Sequence, residues 1–252
     1  IQPFIVTLAT WSILSGIGLL ILPTQGGAVA PTIVGLAFGS VGPGAKAYFD
    51  YVNASGGVNG RKLDYHYYDD AYNPAQTVQL TRKLVEDDKV AAVFNSVGTA
   101  NNLAIRDYLN AQKIPHLFAA DGSAALGGAP RTYPWTVGFL QSYRGEGAVY
   151  GRDIVKRKPK ARIAILLENT ELGKDMTRGL SRAITGKGPR IVASESYEYT
   201  AADVSSNVAK LKATGADTLM LFATPKFMIQ AVFAAHKLGW RPQLYIASVS
   251  IE

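Results

Sequence analysis

Residues 162–222, RIAILLENTELGKDMTRGLSRAITGKGPRIVASESYEYTAADVSSNVAKLKATGADTLMLF, alternate short β-rich runs with segments of helical period. Arg162 to Leu167, Arg190 to Tyr197 and Thr218 to Phe222 read as strands, and Leu244 to Ala247 continues the series. Between them, Asp203 is expected to cap a helix that buries Val204, Val208 and Leu211. Pro225 is expected to open another, running through Ile229, Val232 and Phe233 to a stop at Gly239. Strands separated by helices at regular spacing predict a parallel sheet covered on both faces.

The same rhythm extends towards the N-terminus. Thr32 to Phe38, Lys62 to Tyr68, Val90 to Phe94 and His116 to Ala120 are candidate strands. Asn73 and Pro74 supply a cap and a first helical residue ahead of the apolar stripe Val78, Leu80, Leu84 and Val85. Arg131 to Gly138, rich in Pro, Trp and Gly, has neither period and reads as a crossover between lobes. The expected organisation is α/β and two-lobed, with residues 31–138 as lobe I, 139–252 as a truncated lobe II, and 1–30 as a separate apolar segment.

Composition narrows the chemistry. The chain has no cysteine, which removes disulfides, thiolate metal sites and cysteine nucleophiles. The net charge of +7 is concentrated between Arg144 and Arg190, where twelve Lys/Arg stand against five Asp/Glu. Only Tyr150 lies near the Lys156 to Lys160 run, so the interleaved basic and aromatic pattern of nucleic-acid binding is missing. The segment reads as a solvated face, with a docking patch for an acidic partner as the alternative.

Catalytic motifs fail at named positions. Gly186-Lys187 has Ser181 where a P-loop needs its first Gly, and Gly188 where it needs Ser/Thr. Ser96 has Phe94 in place of the first Gly of a nucleophile elbow. Gly42-Pro43-Gly44 lacks the third Gly of a dinucleotide fingerprint. His66, His116 and His236 show no metal-ligand spacing, and adjacent Asp69 and Asp70 suit turn and capping duty. No catalytic residue, metal or cofactor is expected.

Ligands of open α/β sheets sit beyond the carboxyl ends of strands, where helix N-termini offer unpaired N–H groups. That rule selects the loops Asn95 to Thr99 and Asp121 to Ser123, and in the second series Glu168 to Leu172, Ala223 to Pro225 and Ser248 to Ser250. Their hydroxyls and N–H groups suit a carboxylate. The alternative is that Ser96, Thr99 and Ser123 serve only as helix caps.

The N-terminus reads differently. No charge precedes Lys46, and Pro3 to Leu22 is almost wholly apolar, long enough for a membrane helix. Ala28-Val29-Ala30 could end a secretory signal, but the opening Met and positive n-region are missing. QPFIVTLATWSILSGIGLLILPTQGG, residues 2–27, resembles a permease segment of sugar-type ABC importers, which implies a foreign fragment and membrane association through residues 1–23.

The remainder resembles another family. GGVNGRK, YDDAYNP, LVEDDKV, YPWTVGF, ELGKD, LKATGAD and FATPKF run collinearly from Ile33 to Ser250, as in ABC-importer solute-binding proteins of the branched-chain-amino-acid type. The resemblance implies a type I periplasmic-binding-protein fold that closes on a solute and delivers it to a permease. It also implies a periplasmic or extracytoplasmic location. By that likeness the solute contacts Ser96, Gly98, Thr99, Ala100, Ala120, Asp121, Gly122 and Ser123 in lobe I, and Thr170, Leu172, Thr224 and Ser248 in lobe II.

Family solutes include amino acids, amides and aromatic acids. No acidic partner for an ammonium is evident at Ser248 to Ser250, and Glu252 is out of phase, which keeps a simple carboxylic acid open. The sequence also departs from the family after Gly39 to Pro43, where residues completing the first ligand loop are absent, and at Glu252, beyond which the family continues. The expected activity is binding of a small carboxylate-bearing solute without catalysis. A membrane-tethered sensor of the same fold is the second reading, and an α/β enzyme the third.

Overall fold

The computed structural model describes residues 41–250. Two compact units are present, one ending at Tyr65 and one beginning at His66. The apolar segment 1–30 and the candidate strand Thr32 to Phe38 lie outside the described residues, and no helix among those described is long and apolar enough to cross a membrane.

In the first unit, helix α1 (Val41–Ala54) takes in Gly42 and Pro43, which the sequence assigns to a ligand loop. After it, Asn53 both donates to Leu63 O and accepts from Leu63 N, each at 2.7 Å. Those are the groups a neighbouring strand would pair with, so the expected strand from Lys62 to Tyr68 does not form. An isolated bridge between Val58 and Arg61 is all the pairing found there.

The second unit begins with α2 (Pro74–Glu86), capped as expected by Asn73, whose Oδ1 accepts from Ala75 N at 3.0 Å. Next come β1 (Val93–Phe94), α3 (Thr99–Ala111), β2 (His116–Ala119), the single turn α4 (Ala124–Gly127) and β3 (Thr136–Gly138). The three strands form a parallel sheet in the order β1-β2-β3. Strand β1 is shorter than expected because Val90 N bonds Leu84 O, closing α2 instead of entering the sheet. The supposed crossover 131–138 contains β3, which is too short to display a period; Asn110 holds it by donating to Thr136 Oγ1 and accepting from Trp135 N.

The chain then runs through α5 (Tyr143–Arg157), β4 (Arg162–Glu168), α6 (Glu171–Ile184), β5 (Arg190–Tyr197), α7 (Ser205–Ala213), β6 (Thr218–Phe222), α8 (Pro225–Lys237) and β7 (Gln243–Ile246). A 3₁₀ turn, Ser248–Ser250, follows. These four strands are parallel in the order β5-β4-β6-β7. Central strands β4 and β6 alternate between two cores. Ala164, Leu166, Leu219 and Leu221 face Val208, Leu211, Phe227 and Ala231 of α7 and α8. Ile163, Ile165, Met220 and Phe222 face Ile154, Met176 and Leu180 of α5 and α6. Each such fully buried aliphatic or aromatic side chain contributes about 1.5–3 kcal/mol, which is why continuous apolar runs mark these strands.

Two helix expectations shift. Asp203 accepts from Ser205 N, but Val204 holds the N-cap position of α7, so the acid acts one residue upstream. Ile229 and Phe233 are exposed at 42% and 70%; α8 buries Phe227, Ala231, Ala234 and Ala235 instead, because β6 meets its small-residue face.

Candidate functional site

The helices fall into two groups at their N-termini. Side chains cap α2, α4 and α5, from Asn73, Ser123 and Ser142 respectively. Helix α7 also lacks a cap at Val204, but Asp203 takes its Ser205 N–H, whereas α3, α6 and α8 begin at Gly98, Thr170 and Thr224 with no side-chain cap. Their first-turn N–H groups keep their donor capacity and the positive end of the helix dipole. All three follow strand ends. Gly98 adopts φ 105, and a Cβ there would lie 2.7 Å from both Asn101 Oδ1 and Tyr72 Cε2, so glycine alone fits.

Two of these starts, Thr170 and Thr224, lie at Glu168, the fully buried last residue of β4, and the third, Gly98, is reached from it through the Tyr72 ring. Glu168 Oε1 accepts from Thr170 Oγ1 at 3.1 Å and Tyr72 OH at 3.4 Å. Its Oε2 accepts from Tyr197 OH at 3.4 Å. Tyr197 OH in turn lies 3.3 Å from Thr224 Oγ1 and accepts from Thr224 N at 3.0 Å. Burial raises the Glu168 carboxyl above its ordinary range, and the hydroxyls of Thr170, Thr224, Tyr197 and Tyr72 oppose that rise. Tyr72 and Tyr197 are pushed upward by burial and by the Glu168 charge, so both stay protonated donors.

A second acid closes the first-sheet side. Buried Asp121 accepts from Thr99 Oγ1 at 3.0 Å, Ser123 N at 2.8 Å and Ser123 Oγ at 3.0 Å. Burial raises its carboxyl despite those donors, and nearby Asp175 adds to the rise. Ser123 also caps α4 through Leu126 N. Gly122 is held against Tyr143, whose N–H donates to Gly122 O; a Cβ at Gly122 would meet Gln141 O and the Tyr143 ring.

Ser96 is engaged from below. Its Oγ donates to Asn102 Oδ1 at 2.6 Å and lies 2.7 Å from His116 Nε2. Asn102 Nδ2 donates to Ser96 O, which fixes the amide orientation. Oδ1 can only accept, so His116 Nε2, 3.2 Å from it, carries the proton. His116 is therefore a donor to Ser96 rather than a base for it, and burial lowers its pKa to about 4. Among the described residues its Nδ1 has no partner to orient the ring for proton transfer.

Two further acids tie loop to helix. Asp175 on α6 accepts from Ala124 N through Oδ2 at 2.7 Å, and from Arg144 and Arg178 through Oδ1 at 2.8 Å each. Burial would raise its carboxyl, but those three donors hold it below the ordinary range. Glu146 on α5 accepts from Ser248 N, Ser248 Oγ, Gln141 Nε2 and Tyr150 OH.

Of the sequence-selected residues, Gly98, Thr99, Ala100, Thr170 and Thr224 lie at the uncapped helix starts. Ala120, Asp121, Gly122 and Ser123 form the adjoining loop, with Ala120 paired to Val97. Leu172 is placed in the core beside Met176, leaving only its main chain near the loop. Ser248 is placed on Glu146. Sequence reading passed over Tyr72 and Tyr197, and reached Glu168 only as the first residue of the strand-end loop Glu168 to Leu172, not among the named solute contacts. The strand-end position of Glu168 is the one signal that marks it. Among the described residues no cluster of three His, Asp or Glu has metal-binding geometry.

A family model described as periplasmic binding protein matches residues 33–252. The chain belongs to that family. It is a type I periplasmic binding protein of the branched-chain-amino-acid type, with parallel sheets flanked by helices. Among the curated members, a leucine-, isoleucine-, valine-, threonine- and alanine-binding protein of Pseudomonas aeruginosa is 25% identical, over 68% of this chain and 45% of its own length. A crystal structure of a substrate-binding periplasmic protein from Ralstonia solanacearum superposes with a TM-score of 0.76 at 28% identity, covering 88% of this chain and 61% of that one. An ABC-transporter solute-binding protein from Rhodopseudomonas palustris, in complex with 3,4-dihydroxybenzoic acid, shares the fold with a TM-score of 0.64 at 22% identity, over 81% and 57%. The chain spans about half the length of the curated relatives it matches.

Proposed function

We propose that this periplasmic binding protein is the extracytoplasmic solute-binding component of an ABC importer. It takes a small carboxylate-bearing solute, an amino acid, amide or aromatic acid, between lobe I (residues 31–138) and lobe II (139–252). The observation that carries this reading is the set of uncapped strand-end helix starts at Gly98, Thr170 and Thr224, the last two at buried Glu168 and the first linked to it through Tyr72.

The N–H groups of Thr99 and Ala100 hold the solute carboxylate, with the 120–123 loop as the adjoining wall. Opposite, Thr170, Thr224 and the Leu172 main chain contact the rest of the solute. Glu168 takes an ammonium or hydroxyl, the role for which the sequence offered no acid at Ser248 to Ser250. The Tyr72–Glu168 and Ala124–Asp175 hydrogen bonds join groups that the two lobes contribute, and so favour the closed arrangement. The mode is closure and release to a permease, without bond making. His116 as a donor and Ser96 as its acceptor support binding over catalysis.

Calorimetric titration of the chain with branched-chain amino acids, their amides and hydroxybenzoates tests the reading, with circular dichroism establishing that the chain is folded. Saturable binding of at least one class is expected. A folded chain that binds none of them would overturn the proposal.

A further inference from the structure

The seam between α5 and α6 carries a second concave surface, which the solute-binding reading does not use. An open groove of about 520 Å³ runs along it. Arg144 and Arg152 of α5 line one side, and Arg178, Arg182 and the following Lys187 line the other, with no carboxylate among the lining residues. Arg144 and Arg178 are engaged by Asp175, and Arg178 also by Glu171. Arg152, Arg182 and Lys187 are exposed and have no ion-pair partner among the described residues.

Glycine builds this groove. Cβ atoms at Gly147 and Gly179 would strike the main chain of Met176 and Arg144, and one at Gly151 would lie 2.6 Å from Ala183 Cβ. The helices therefore approach closely enough that two rows of cations face each other, across a floor that includes Gly179 and Ala183. Gathering like charges opposes folding. An anionic occupant relieves that repulsion.

The rows also have a length. Arg144 and Arg152 are separated by about 12 Å of helix, at 1.5 Å per residue, which roughly four residues of extended chain would match. Facing guanidinium forks suit carboxylates carried on such a chain. No aromatic side chain lines the groove, which disfavours nucleic acid. Its concavity disfavours a flat membrane surface.

We propose that the α5–α6 groove docks an extended acidic segment, about four residues bearing two or more carboxylates, from a protein partner. The test is fluorescence anisotropy with a labelled tetraglutamate peptide flanked by Gly-Ser, titrated with the full chain at low and high ionic strength. The combined variant R152E/R182E/K187E is expected to weaken binding by about tenfold or more. The combined variant K156E/K160E/R190E makes the same charge change on exposed cations outside the groove and should weaken it by less than about twofold. A neutralised variant, R152Q/R182Q/K187Q, checked by circular dichroism, separates lost docking from lost folding and should also bind poorly.

Equal losses in the two reversal variants would overturn the proposal in favour of diffuse attraction. So would absence of peptide binding to the unmodified chain at low ionic strength. So would binding of pyrophosphate or of phosphatidylglycerol vesicles that depends on the groove cations while the peptide does not bind, which would assign the groove to phosphate or to a membrane surface.

Discussion

The Tyr72 hydroxyl donates to Glu168 Oε1 at 3.4 Å across 96 residues of chain, while its ring lies against the Gly98 main chain. One side chain thus touches the start of α3 and the end of β4. Tyr72→Phe removes the donor and keeps the ring. Hydrogen bonds to charged groups contribute about 1.5–3 kcal/mol, so the dissociation constant of the best solute in the panel is expected to rise about tenfold. The urea midpoint should fall as well, since the bond joins two groups of the folded chain. Unchanged calorimetric affinity would remove Tyr72 from the site.

Glu168 carries a pH dependence of known sign. Burial raises its folded carboxyl above the ordinary value of 4.5. The native state therefore holds more proton than the unfolded state as pH rises through that window, and stability declines with increasing pH. Glu168→Gln removes this penalty. The melting temperature of the variant relative to the parent should increase between pH 4 and pH 8, and a pH-independent difference would contradict the assignment.

His116 works in the opposite direction. Its pKa falls from 6.5 to about 4 on folding because of burial. The unfolded state then binds the proton first, and stability is lost as pH drops from about 6.5 towards 4, by up to about 3 kcal/mol. Urea unfolding at pH 7, 5.5 and 4 should show this slope in the parent and a shallower one in His116→Gln. The variant should also be less stable at pH 7, since the flexible amide does not refill the buried space of the imidazole.

Gly179→Ala tests the helix seam. The new methyl would enter the Arg144 main chain, so overpacking of about 1–3 kcal/mol or more is expected against a helix-propensity gain of about 1 kcal/mol. Gly145→Ala meets only the Ser142 side chain, at 3.6 Å or more, and should be neutral or slightly stabilising. Denaturant midpoints of the pair would show whether close approach, rather than glycine flexibility, is what the seam requires.

Legibility of the fold followed burial. Strands β4 and β6 are buried on both faces, and their apolar runs announce them within a residue of their ends. Strands β1 and β3 have two and three residues, below the length at which a period appears, and one was shortened while the other was read as a crossover. Local capping was legible at Asn73 and failed at Asp203, where the acid holds the right N–H from one residue too early. In the candidate site, strand-end position brought out Gly98, Thr99, Thr170 and Thr224. It did not bring out Tyr72, which reaches Glu168 by way of a turn. That turn is held by Asp70 accepting from Tyr72 N and by Tyr72 itself at φ 55. Such an encounter depends on tertiary packing alone.

Asp175 gives the basic groove a line to the strand-end loops. Its two oxygens face different ways: one takes the Ala124 N–H beside Ser123, and the other takes Arg144 and Arg178 at the groove wall. A guest that drew those guanidiniums away would alter the charge felt at the loop through this single carboxylate, and by thermodynamic reciprocity a solute acting on the loop would change the groove's affinity for that guest by the same factor.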